Sequence, residues 1–128
     1  MNRFTESEMS DILAARQRID GIAGHTPLVP SPFMQEQCGR EFLLKLEGMQ
    51  PTGAFKIRGA VNAMMQLPDT SPGVVCCSTG NHGRGVAYAA RLRGFRTVVC
   101  MSSLSPRAKI EGIARLGGEV RIVGSNQD

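Results

Sequence analysis

From Phe55 onward the chain keeps one rhythm, and that rhythm leaves few folds open. Ile57, Ala60, Val61, Met64 and Leu67 recur at the spacing of a single helical face, which Pro68 closes. Residues 73–77 then read as a strand of the buried type, and 83–93 as a helix with Val86, Ala89 and Ala90 inward. Residues 97–101 read as a strand, 106–116 as a helix with Pro106 in its first position, and 119–123 as a strand. Helices and strands that alternate across short glycine-bearing connections build βαβ units. The expected class is therefore α/β: a parallel sheet with right-handed crossovers and helices on both faces.

The first third is less regular. Thr5 and Glu8 have the spacing of a capping box, and Ile12, Ala15, Ile19 and Ile22 follow at helical spacing until Gly21 and Gly24 end the run. The segment 26–30 is extended because each proline biases its predecessor away from helix. A short helix near 32–37 and a strand over 41–46 complete it. With 41% hydrophobic and 20% charged residues in 128, the composition is that of one globular domain.

Charge and cysteine content exclude several function classes. The net charge of +4 is spread over Arg91, Arg93, Arg96, Arg107 and Lys109, with one tyrosine and no tryptophan. A nucleic-acid surface would carry a dense basic stripe, so no such partner is expected. Mild positive charge suits an anionic cofactor and an amino-acid carboxylate. The four cysteines, Cys38, Cys76, Cys77 and Cys100, contain no Cys-x-x-Cys pair, and two histidines cannot complete a zinc site. Cys76 and Cys77 are adjacent on a strand, so they face opposite sides and are expected as buried, reduced thiols in a cytoplasmic setting. No run is apolar enough for a signal peptide or a membrane span.

Two blocks carry chemistry. In the first, Pro51-Thr52-Gly53-Ala54-Phe55-Lys56-Ile57-Arg58-Gly59, a turn delivers Lys56 to the opening of the helix. A cation there stands against the positive end of the macrodipole, and broken local rules concentrate at functional sites. An exposed helix lysine is the ordinary outcome for this residue type; the preceding turn and the apolar Phe55 and Ile57 favour a nucleophilic, Schiff-base amine instead. The second block, Ser78-Thr79-Gly80-Asn81-His82-Gly83, follows a strand and opens a helix. Its unpaired N–H groups converge on an anion, Gly80 and Gly83 admit close backbone approach, and Ser78, Thr79, Asn81 and His82 add polar side chains. Taken alone, a glycine turn with a capping residue would account for it. Met49, Met64 and Met65 read as packing residues and His25 as structural.

Together the blocks resemble the fold-type II (tryptophan synthase β-like) pyridoxal-phosphate enzymes, specifically the threonine and serine dehydratase group. The resemblance implies a dehydratase or ammonia-lyase that uses pyridoxal 5'-phosphate. It makes Lys56 the catalytic lysine that carries the cofactor and later takes the α-proton. It puts Phe55 beside the cofactor, Asn81 on its ring hydroxyl, and the substrate carboxylate on Ser78, Thr79, Gly80, Asn81 and His82. Thr79 stands where racemising members have a serine as the opposite-face acid, which speaks against racemase activity. The Ser-Thr-Gly-Asn-His-Gly-Arg-Gly loop is also similar to the hydroxyectoine-utilisation dehydratase branch, which implies a hydroxylated acidic substrate. The competing readings are a non-catalytic anion-binding or interaction domain on the same fold and an amino-acid racemase of the same family.

The resemblance covers nearly the whole chain but corresponds to the N-terminal portion of a typical member. Residues 1–48 are then a segment that would join the large domain, and 49–128 a small α/β domain incomplete at its C-terminal end. The family's phosphate cradle and pyridine-nitrogen partner lie beyond it. The chain is expected to be a truncated form of a cytoplasmic homodimeric enzyme acting on small amino acids.

Overall fold

The computed structural model describes residues 6–126, so the expected Thr5 cap lies outside it. Helix α1 spans Glu6–Ile19, strand β1 Leu28–Pro30, helix α2 Pro32–Cys38 and strand β2 Leu43–Lys45. A single 3-10 turn at Glu47–Met49 leads into α3 (Lys56–Met64), β3 (Val74–Cys77), α4 (Asn81–Leu92), β4 (Thr97–Met101), α5 (Arg107–Arg115) and β5 (Glu119–Ile122). The first two strands pair antiparallel, Val29 opposite Leu44, as a separate two-stranded ribbon. The last three form a parallel sheet in the order β3-β4-β5, with Cys76 opposite Val99 and Val99 opposite Val120.

The α/β class and parallel sheet stand as expected. Of the helical cover expected on two faces, the described residues supply one. Crossovers of one hand that step repeatedly in the same direction along a sheet place their helices on the same side. Both α4 and α5 accordingly pack on the face carrying Cys76, Val99, Met101 and Val120, with Ala87 and Ile113 in the seam. The opposite face carries Val75, Cys77, Val98, Cys100 and Arg121, and no described helix covers it. Strand β3 is therefore not buried: Val75 is 70% exposed and Cys77 is exposed.

Helix α3 packs across α4 through a second apolar cluster. Ile57, Val61 and Met64 meet Val86, Ala89 and Ala90, and Ile19 and Ile22 of the N-terminal segment close over them. The helical face expected in α3 is the buried one. Arg93 holds its far end, donating to the carbonyls of Met64 (2.8 Å) and Leu67 (3.0 Å), where the negative end of the dipole favours a cation. Four finer expectations change. Pro106 precedes α5 as its N-cap, with ψ of 136°, so the helix begins one residue later. Helix α4 starts at Asn81, two residues early, with Gly80 as its N-cap and Ser78 Oγ accepting from the Gly83 N–H. Met49 is 66% exposed and packs little, and Ile12 points to solvent at 53%.

Candidate active site

Lys56 owes its position to the loop before it. Gly53 N–H donates to the Gln50 carbonyl at 2.7 Å, closing a turn with Pro51 and Thr52 in its centre. Gly53 has φ of +73°, which a side chain would strain. Phe55 is the N-cap and Lys56 the first residue of α3, as the sequence indicates. The lysine is exposed, and its Nζ lies 4.9 Å from the centroid of the Phe55 ring. No carboxylate pairs with it among the described residues.

A polar knot ties this loop to the N-terminal segment. Arg58 grips Glu47 with two parallel hydrogen bonds, 2.9 Å from Nε and 2.8 Å from Nη2, and also donates to the Gly24 carbonyl at 2.9 Å. Thr26 donates to the same carboxylate at 2.5 Å, and Gln50 at 3.2 Å. Gln50 further exchanges both hydrogen bonds with the Gly24 backbone. The Arg58 guanidinium, with help from the other donors, holds the Glu47 carboxyl at about 2. The sequence showed Arg58 only as a second cation near Lys56. Two residues apart on a helix, the pair face different ways, so Arg58 anchors the helix from behind while Lys56 is left free.

The second block sits at the start of α4, after β3. Ser78 Oγ accepts from the N–H of Gly80 at 3.2 Å and of Gly83 at 2.9 Å. The N–H groups of Asn81 and His82 remain without an acceptor among the described residues, as the first turn of a helix requires. Gly83 has a role different from the ligand approach expected of it. A Cβ there would stand 2.9 Å from Val99 Cγ1 and 3.1 Å from Ile113 Cδ1, so its bareness seats α4 on the sheet. Gly85 does the same on the other side: a Cβ would lie 3.3 Å from the Lys56 carbonyl carbon and oxygen. The crossing of α3 and α4 thus occurs at Lys56 itself.

Two cavities flank the Ser78–Gly83 loop. The first, about 490 Å³ and mostly apolar, is walled by Phe55, Lys56, Ala60, His82 and Val86 with the edge of β3. The second, about 450 Å³, holds Ser78 and Thr79 beside Cys77, Cys100 and Ser102. It opens beyond the carboxyl ends of the parallel strands, the usual ligand position in such sheets. Phe55, Lys56 and His82 therefore meet, Ser78 and Thr79 lie on the opposite flank, and Gly80 and Asn81 stand on the loop between, lining neither. A primary amine without an acid partner, an apolar wall and unpaired N–H donors fit the carbonyl and ring of pyridoxal phosphate. Among the described residues no group of three or more acidic, histidine or cysteine side chains could hold a metal. No described helix is long and apolar enough to cross a membrane.

The chain is similar to several known proteins. A Sinorhizobium fredii protein provisionally named a threonine dehydratase is 47% identical, covering all of this chain and 39% of its own length. The catabolic L-threonine dehydratase of Escherichia coli is 38% identical over 92% of the chain and 36% of its own length. The beta-hydroxyaspartate dehydratase of Paracoccus denitrificans is 40% identical over 86% and 36%. Among solved structures, maize serine racemase aligns with a TM-score of 0.85 at 34% identity, over 91% of this chain and 36% of that one. A pyridoxal 5'-phosphate-dependent aspartate racemase aligns at 0.87 and 33%, over 97% and 40%. The chain spans no more than two-fifths of the length of any of these. The model of the pyridoxal-phosphate dependent enzyme family matches residues 19–128, and the chain belongs to that family.

Proposed function

We propose that this chain carries the cofactor-bearing lysine and the carboxylate loop of a pyridoxal-phosphate-dependent dehydratase. The reaction is that of an ammonia-lyase: a β-hydroxy amino acid gives a keto acid and ammonia. The observation that carries this reading is the meeting of Lys56, Phe55 and His82 at one apolar cavity, against a helix start with unpaired N–H groups. The names of the relatives support the same class.

When bound, pyridoxal phosphate supplies the electron sink for charge at the substrate α-carbon. The chain's own residues do the rest. Lys56 Nζ would hold the cofactor, and the same nitrogen would take the α-proton. Asn81 would meet the cofactor's hydroxyl. The N–H groups of Asn81 and His82, the Gly80 backbone and the hydroxyls of Ser78 and Thr79 hold the carboxylate. Phe55, whose ring lies 4.9 Å from the amine, would stand beside the cofactor. One water is lost from the substrate and one is regained, so the net products are keto acid and ammonia.

Racemisation is the second reading, favoured by the two racemase structures. It would need the Thr79 hydroxyl, on the other flank of the loop from Lys56, to act as the opposite-face acid. The dehydratase relative that acts on β-hydroxyaspartate supports a narrower proposal, a hydroxylated acidic substrate. The acting form is proposed to be a cytoplasmic homodimer working on free amino acids, without nucleic-acid or membrane partners.

The test is incubation with pyridoxal phosphate, borohydride reduction and peptide mapping. Preferential labelling of Lys56 over Lys45 and Lys109 is expected. Equal labelling of all three would leave an anion-binding domain without covalent chemistry. Ammonia release from threonine, serine and hydroxyaspartate ranks the substrates.

A further inference from the structure

We propose that Cys77 and Cys100 are a modification site, a thiol pair that a hydroperoxide converts to a reversible cross-strand disulfide beside the Ser78–Thr79 loop. The two residues are direct partners in the parallel register of β3 and β4. Register partners in a parallel ladder present their side chains on the same face, here the one without helical cover. Adjacent strands run about 4.8 Å apart, inside the roughly 4.4–6.8 Å between Cα atoms that a disulfide spans. The strands are held together at that point by Ser78 N–H donating to the Cys100 carbonyl at 3.0 Å. Both thiols are free, Cys77 exposed and Cys100 half-buried, and both line the 450 Å³ cavity that contains Ser78 and Thr79. Access for a small oxidant and a partner within reach are thus both present.

The remaining two cysteines serve as internal controls. Cys76 points to the opposite, helix-covered face, and burial pushes its thiol up, away from the reactive thiolate. Cys38 is exposed at the end of α2.

The chemistry balances in two steps. The exposed Cys77 sulfur attacks the peroxide: an S–O bond forms, the O–O bond breaks, and an alcohol or water leaves with a sulfenic acid behind. The Cys100 sulfur then attacks it: the S–S bond forms, the S–O bond breaks and water departs. Two thiols are oxidised and one peroxide is reduced, and an added dithiol reverses the change. The bridge closes one residue before Ser78, so it fixes the start of the carboxylate loop. This last consequence rests on the proposed function, whereas the bridge does not.

The test treats the reduced chain with one equivalent of hydrogen peroxide, then maps peptides without reduction, fragmenting between residues 76 and 77. Expected is a monomer that has lost two hydrogens, with Cys77 joined to Cys100, Cys76 and Cys38 free, and full reversal by dithiothreitol. Cys100→Ser should instead leave a Cys77 sulfenic acid that dimedone traps, while Cys38→Ser should bridge as before. A bridge to Cys76, a purely intermolecular disulfide, or oxidised Cys77 beside a free Cys100 overturns the assignment. Backbone amide signals of Thr79 and Gly80 should shift on oxidation in the parent, and by clearly less in Cys100→Ser, where only a sulfenic acid forms. Unmoved signals in a bridged parent would refute the link to the loop and leave the carboxylate-binding proposal untouched.

Discussion

At the scale of single residues, two glycines of α4 make opposite predictions from the same substitution. Gly83→Ala would drive a methyl to 2.9 Å from Val99 and 3.1 Å from Ile113, both in the packed core. Overpacking there outweighs the helix propensity gained, and urea unfolding should show a loss of about 1–3 kcal/mol. Gly85→Ala meets the Lys56 backbone at 3.3 Å, a closeness a shift of α3 by a few tenths of an ångström relieves. Its stability should change by less than about 1 kcal/mol, because propensity offsets crowding. Its effect belongs to Lys56: borohydride-trapped pyridoxal adduct should form several-fold more slowly, and an unchanged rate would separate the helix crossing from the lysine's position. The sequence showed both glycines and allowed only the ligand-approach reading for Gly83. The partners that give each its meaning, Val99 and the Lys56 carbonyl, are brought near by the tertiary fold, which local pattern does not encode.

At the scale of elements, the Lys56 helix is held from behind by the Glu47–Arg58 knot. Glu47 titrates at about 2 in the folded chain against an ordinary 4.5, so the folded state favours its ionised form. The stability this contributes is complete above about pH 4.5 and is lost as pH falls toward 2. Its size is about 2 kcal/mol, below what the full shift implies, because the edge of the pair touches water. Glu47→Gln should remove that contribution at neutral pH and flatten the acid limb between those values, as followed by thermal melts across pH. An acid limb unchanged by the substitution would mean that other carboxylates produce it. The helices and strands themselves were legible, since Ile57, Ala60, Val61 and Met64 form the buried stripe their spacing indicates. The knot was not, because Gly24, Thr26, Glu47 and Arg58 share no periodicity and meet only when the chain folds back. For the same reason the two motifs gave the residues of the site without showing that their loop divides two cavities.

At the scale of the whole molecule, the single-sided sheet has a cost. A compact monomer of 13.8 kDa exposes about 6,600 Å² by the usual size scaling, whereas this chain exposes 8808 Å². Strand β3 has its outer edge unpaired among the described residues, and its Val75 is 70% exposed. An uncovered edge strand with a bare apolar face is a template for pairing with another chain. The chain should therefore self-associate as its concentration rises. Val75→Lys places a charge on that edge where the side chain already meets solvent, so its cost to stability should stay within about 0.5 kcal/mol. Sedimentation velocity over a concentration series checks the pair. A parent that sediments increasingly fast beside a variant that stays monomeric locates the sticky surface on β3. A variant that associates equally would put the sticky surface on the N-terminal ribbon, where Leu28, Leu43 and Leu44 are also open to water, and a parent monomeric throughout would refute the self-association.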